Sequence, residues 1–70
     1  MKKYQIIGGQ YSYIYYGESD SLHGAKCIAS RNKEYWDNWQ GWNKPLIYKT
    51  ADCVFHNSKP IPRENAEPVS

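Results

Sequence analysis

The sequence predicts an α+β fold: a small antiparallel sheet with one helix packed on one face, in the order ββαβ or ββαββ. Three observations carry this expectation. Two β-prone runs flank a Gly-Gly pair near the N-terminus, apolar residues at helical spacing follow a cluster of capping residues, and another β-prone run starts after Pro45. A chain of 70 residues has room for one domain. That domain is placed at residues 1–56, and 57–70 read as a disordered polar tail, because prolines at 60, 62 and 68 and the polar residues between them leave little to bury.

The elements follow in order. Residues 3–7 alternate loosely, and Gly8-Gly9 with Gln10 reads as a hairpin loop. Residues 11–16 are the most strand-like segment. Tyr11, Tyr13 and Tyr15 share one face at period two, and Ile14 and Tyr16 share the other. Ser19, Asp20 and Ser21 are candidate N-caps. The spacing then predicts a helix over 21–35. Leu22, Ala25, Ala29 and Asn32 fall on one side, with Ile28 at the edge and Trp36 returning to the same side. Lys26 and Lys33 flank the stripe and can snorkel. Gly24 costs the helix about 1 kcal/mol relative to Ala, which only a close approach to the sheet would justify. Residues 36–45 carry turn chemistry at Asp37-Asn38 and Gln40-Gly41, closed by Pro45. Residues 46–50 read as a strand, extended by Cys53-Val54-Phe55 after a break at Ala51-Asp52.

Composition narrows the function classes. Three Trp, seven Tyr and one Phe are a heavy aromatic load for this length. One helix covers one sheet face only, while the tyrosine strand is apolar or aromatic on both. A homodimer or higher oligomer is therefore expected, through that face or an exposed edge strand. The net charge of +2 is mild and does not by itself indicate a nucleic-acid partner. Two cysteines fall short of the disulfide framework of a small secreted domain. Met1-Lys2-Lys3 is not followed by a long apolar run, and no stretch has membrane-spanning length. A cytoplasmic protein with reduced thiols and no membrane partner is the expectation.

Catalytic chemistry finds no pattern. His23 and Cys27 are four apart on the expected helix, a usable ligand spacing, yet no second paired motif joins them, and Cys53 and His56 are three apart on the expected last strand. No metal and no cofactor are expected. Glu18, Asp20, Glu34, Asp37 and Asp52 offer no spacing that singles out a carboxylate pair, and there is no Gly-x-Ser-x-Gly elbow. An acid, a base and an oxyanion site are hard to house in so short a chain, so the protein reads as a non-enzyme. Gly8-Gly9 leads into a strand and lacks a phosphate-cradling pattern, so it reads as a turn. Trp42-Asn43-Lys44-Pro45 matches the closing Trp-x-x-Pro of WW domains, but Leu22 stands where their first Trp would be, which excludes that family.

Binding chemistry is better represented. Trp36, Trp39 and Trp42 recur at steps of three, and the wheel sends Trp36 to the core. Trp39 and Trp42 lie among Asn38, Asn43 and Lys44, which suits a planar anionic ligand. The rings stack, the amides read a base or ribose edge, and Lys44 and Arg31 pair with phosphate. Tyr13 and Tyr15 complete the candidate ligand-binding set. With its aromatic-rich runs (Tyr11 to Tyr16, Trp36 to Trp42), no catalytic signature and a short polar tail, the chain resembles small orphan anti-defence proteins of phages and mobile elements. That resemblance implies one of two roles. Some such proteins sequester nucleotide second messengers as homo-oligomeric sponges, and others block a CRISPR effector or another immune protein by contact. Sequestration of a nucleotide-derived signalling molecule is the leading expectation. A protein–protein inhibitor or adaptor is the alternative, since Tyr, Trp and Arg dominate interface hot spots. A third reading is a nucleic-acid-binding module using Lys26, Arg31, Lys33 and Lys49, with the steep salt dependence such contacts bring.

Overall fold

Alternation in the first strand decides the architecture. The computed structural model describes residues 2–9, 12–39 and 41–69. The elements run β1 (Tyr4–Gly8), β2 (Ile14–Ser19), α1 (Leu22–Arg31), β3 (Glu34–Asp37), β4 (Gly41–Asn43), β5 (Leu46–Lys49), a 3₁₀ turn (Thr50–Asp52), β6 (Cys53–His56) and β7 (Lys59–Pro62). β1 is the centre of a three-stranded antiparallel sheet of order β2-β1-β5, and β3-β4 and β6-β7 form two separate hairpins. The expected α+β fold, a small antiparallel sheet with a helix on one face, is present.

Successive side chains of β1 point to opposite faces, and each face has its own apolar cluster. Ile6 packs with Ile47, Ala25 and Ala29, bordered by Tyr4, Tyr16, Leu22, Ile28 and Val69, so α1 covers this face. Ile7 packs on the other side with Tyr48 and Cys53, bordered by Ala66. Gln5 is also buried, and its amide donates to Thr50 Oγ1 at 2.9 Å and to Glu18 Oε1 at 3.2 Å. The buried amide thus has partners, which removes most of the desolvation penalty.

The helix follows its predicted stripe: Ala25 and Ala29 are buried, Leu22 and Ile28 half-buried. Ser21 is the N-cap, its hydroxyl accepting from Gly24 N at 3.0 Å. Gly24 now has a reason. A Cβ there would collide with Ser19 Oγ and crowd the N-cap Ser21 Oγ, so the expected close approach to the sheet falls on the last residue of β2. The helix stops at Arg31, short of the expected 35, because Asn32 caps it: its backbone N–H bonds Ala29 O and its amide donates to Ile28 O at 2.8 Å. Tyr35 and Trp36 consequently belong to β3, so Trp36 does not extend the helical stripe. The side chains of Trp36 and Trp42, and the expectations placed on Gln10 and Tyr11, lie outside the described residues.

The expected tail from residue 57 is instead folded. Asn57 and Ser58 have φ of 51° and 68°, the positive-φ pair of a type I′ turn, and β6 pairs with β7 from His56↔Lys59 to Cys53↔Pro62. Counting outward from this two-residue turn, Pro60 and Pro62 fall at non-hydrogen-bonded positions, where a missing N–H costs the ladder nothing. Beyond the hairpin, Arg63 N bonds Asp52 O at 2.8 Å and Val69 N bonds Ile47 O at 2.7 Å. The C-terminal stretch therefore runs back along β5, with Ala66 against the second cluster. Among the described residues, no helix is long and apolar enough to cross a membrane.

Two outcomes are expected. Truncation after Arg63 should lower the urea midpoint by at least 1 M-equivalent of stability, roughly 1–3 kcal/mol, since it uncovers Ile7, Tyr48 and Cys53; a dispensable tail would leave the midpoint unchanged. Ser58→Gly should raise the melting temperature, because glycine relieves up to about 1 kcal/mol of left-handed backbone cost at φ 68°.

Candidate functional site: an aromatic groove on the second sheet face

The second sheet face is only partly covered. Tyr15 pairs with Ile7 across β1–β2 and so stands on the face of Ile7 and Tyr48. Tyr13, two residues earlier, extends the same side. Opposite them stands the β6–β7 hairpin. Between the two lies a groove of about 560 Å³, walled by Ser12, Tyr13 and Tyr15 on one side and by His56, Asn57, Lys59, Pro60 and Ile61 on the other. Tyr13 is 61% exposed and Tyr15 38%. The two tyrosines thus keep a large part of their surface in solvent, where a core residue would not.

The surroundings of Tyr15 and Tyr48 favour their neutral phenols. Burial, and then the charge of Glu18, pushes Tyr15 above the ordinary phenol range. Burial raises Tyr48 as well, with Tyr13 and then Cys53 adding to it. Both therefore remain hydroxyl donors and acceptors at neutral pH. Burial, followed by Asp52, also raises the Cys53 thiol, with Arg63 acting in the opposite direction.

The structure separates the rest of the sequence-derived set. Asn38 and Trp39 are exposed at the β3–β4 turn, Trp39 at 94%. Asn43 and Lys44 border a different, smaller cavity of about 150 Å³ with Gly8, Gly9, Tyr16, Pro45 and Leu46. There the glycine pair has a packing role: a Cβ on Gly8 would stand 3.0 Å from Tyr16 Cε2 and 3.1 Å from Pro45 Cα, and Gly9, at φ 108°, would collide with Ser12 O. Arg31 lies on the outer face of α1, beside a shallow depression shared with His23, Lys26, Cys27 and Ser30. In that depression Cys27 Sγ is 3.8 Å from His23 Nε2. Among the described residues, no three His, Cys, Asp or Glu side chains come together as a metal site.

Sequence reasoning found one wall of the groove and missed the other. His56, Lys59, Pro60 and Ile61 were hidden in a segment read as a tail. The signal was Asn57-Ser58, a two-residue turn between Cys53–His56 and an alternating Lys-Pro-Ile-Pro run. Comparison with protein families, curated proteins and solved structures returns no significant match, so the reading of this groove rests on the chain's own residues.

The thiols supply a check on this geometry. Cys27 is exposed and Cys53 buried, so iodoacetamide should modify Cys27 in the native protein and Cys53 only on unfolding. The raised Cys53 thiol favours the neutral form in the fold. Its contribution to stability is complete below the ordinary thiol value of about 8.5 and is lost as pH rises through the raised one. Urea titrations should show stability falling above about pH 8.5, with a shallower fall in Cys53→Ala.

Proposed function

We propose that the protein is a non-enzymatic binding module that holds a polypeptide segment of a partner in the tyrosine groove. One observation carries this reading: Tyr13 and Tyr15 remain 61% and 38% exposed on the sheet face where Ile7, Tyr48 and Cys53 are buried, opposite a hairpin wall that supplies His56, Lys59 and Ile61. Tyrosine provides a large contact area with few rotamers to immobilise and a hydroxyl to orient the partner, the combination found at interface hot spots. Resemblance to contact inhibitors of immune effectors points to a partner of that class.

A nucleotide finds less support in the same geometry. Asn43 and Lys44 border a cavity of about 150 Å³, below the roughly 300–1,000 Å³ of ordinary small-molecule sites. Arg31 and the tyrosines border other surfaces, and Trp39 is exposed at the β3–β4 turn. The groove itself, at about 560 Å³, is of small-molecule size; what favours a polypeptide there is its tyrosine wall beside a strand edge that bonds no strand among the described residues.

Affinity capture and native mass spectrometry separate the two readings. The wild-type protein should retain a polypeptide that is lost in Tyr13→Ala/Tyr15→Ala and kept in Trp39→Ala, with circular dichroism confirming that each variant folds. A small-molecule mass carried through purification, and lost in Trp39→Ala instead, would overturn the proposal.

A further inference from the structure

The groove has a sign of charge and lies beside an open strand edge. Among its described lining residues Lys59 is the one formal charge at neutral pH, His56 adds a second nitrogen donor, and no carboxylate faces in. Glu18, the acid whose charge reaches Tyr15, accepts the Gln5 amide at 3.2 Å at the far end of β2. The other borders of this face are closed to strand addition. On β5, Ile47 O already accepts from Val69 N. On β7, Pro60 and Pro62 lack the N–H groups that an incoming strand would need. β2 bonds β1 on one side and no strand on the other among the described residues. Ile14 and Tyr15 on it are 43% and 38% exposed. From Ser12 to Tyr15 the chain along that edge carries no Lys and no Pro, the residues that usually guard one. The bulge, which falls at Tyr16 between the Ile7↔Tyr15 and Ile6↔Gly17 pairs, and Glu18 lie beyond that stretch.

Resting on the reading of the groove as a polypeptide site, we infer that its occupant is an extended acidic segment of a partner protein, added along the outer edge of β2 as a fourth strand. Strand addition gives main-chain hydrogen bonds along β2, and alternation sends every second side chain of the partner toward Tyr13 and Tyr15. Carboxylates at those positions meet Lys59, and the intervening apolar side chains meet Ile14. Charge also disfavours a second copy of this chain as occupant, since each copy carries a net +2 and brings its own Lys59 to the contact.

The test uses the full chain and an alternating Glu-Val peptide of about ten residues, compared with an alternating Lys-Val peptide and with a Glu-Val peptide N-methylated at every backbone amide. Binding is read by amide chemical-shift changes and titration calorimetry, and self-association by sedimentation. The inference expects Glu-Val to bind with shifts centred on β2, weakened about tenfold, or roughly 1.4 kcal/mol, in Lys59→Glu. Lys-Val and the N-methylated peptide should not bind. Lys59 is exposed near the hairpin turn, so its substitution leaves the fold intact even where Tyr15→Ala does not. Equal binding of Glu-Val and Lys-Val at Tyr13 and Tyr15 would overturn the acidic occupant and leave the polypeptide reading standing. Undiminished binding of the N-methylated peptide would overturn strand addition. A dimer joined through β2 that Glu-Val fails to dissociate would put a second copy in the partner's place. Failure of all peptides to shift β2 or the tyrosines would overturn the inference, and the capture experiment then decides the polypeptide reading separately.

Discussion

Everything in this fold depends on β1 facing two layers at once. Ile6 belongs to one apolar cluster and Ile7 to another, so the sheet has no solvent side to spend on polar residues. A three-stranded antiparallel sheet ordinarily keeps one face wet. Here two layers must come from a chain of 70 residues, which buries only about 60% of its unfolded surface. The helix supplies one layer in ten residues. The second layer is assembled from a hairpin and a returning C-terminal stretch, held to the sheet by the Val69–Ile47 and Arg63–Asp52 backbone bonds. Neither piece would be stable alone, since an isolated two-stranded hairpin is marginal in water.

That arrangement explains what sequence could and could not reveal. The helix stripe was legible because Leu22, Ala25, Ile28 and Ala29 keep a 3.6-residue period and Ser21 announces the start. Its end was not, because Trp36 happens to fall in phase with a helix that Asn32 has already closed. The Gly8-Gly9 turn and the tyrosine strand were legible from alternation, although the bulge opposite Ile6/Ile7 carries β2 further, to Ser19. The C-terminal half of the second layer was hidden by its prolines. Pro60 and Pro62 look like strand breakers until their spacing of two places both at positions where no ladder bond is owed. Composition judged these residues one by one, whereas register decides their cost.

The candidate site inherits the same division. Tyr13 and Tyr15 were visible because a strand aromatic on both faces needs more cover than one helix can give. The tryptophan cluster read as a stacking platform on the assumption that residues close in sequence converge in space. The hairpin sets Asn38 and Trp39 at its turn and Asn43 and Lys44 beside the Gly8-Gly9 corner. Lys59 could not have been named as part of a site while its segment was read as a tail.

Exposure of Tyr13 follows from the same shortage of chain. The returning segment is anchored to β5, so its cover falls over Ile7, Tyr48 and Cys53 and thins out toward β2 at the opposite edge of the sheet. Aromatic surface left in water at an edge strand is an aggregation liability unless something guards it or uses it. This fold guards β5 with its own backbone and β7 with prolines, yet the first half of β2 has neither device. Guarding β2 would have taken one lysine or proline between Ser12 and Tyr16. The chain instead places aliphatic and aromatic residues there, with a single cation across the groove. That contrast between guarded and unguarded edges is what the proposal of a partner strand rests on.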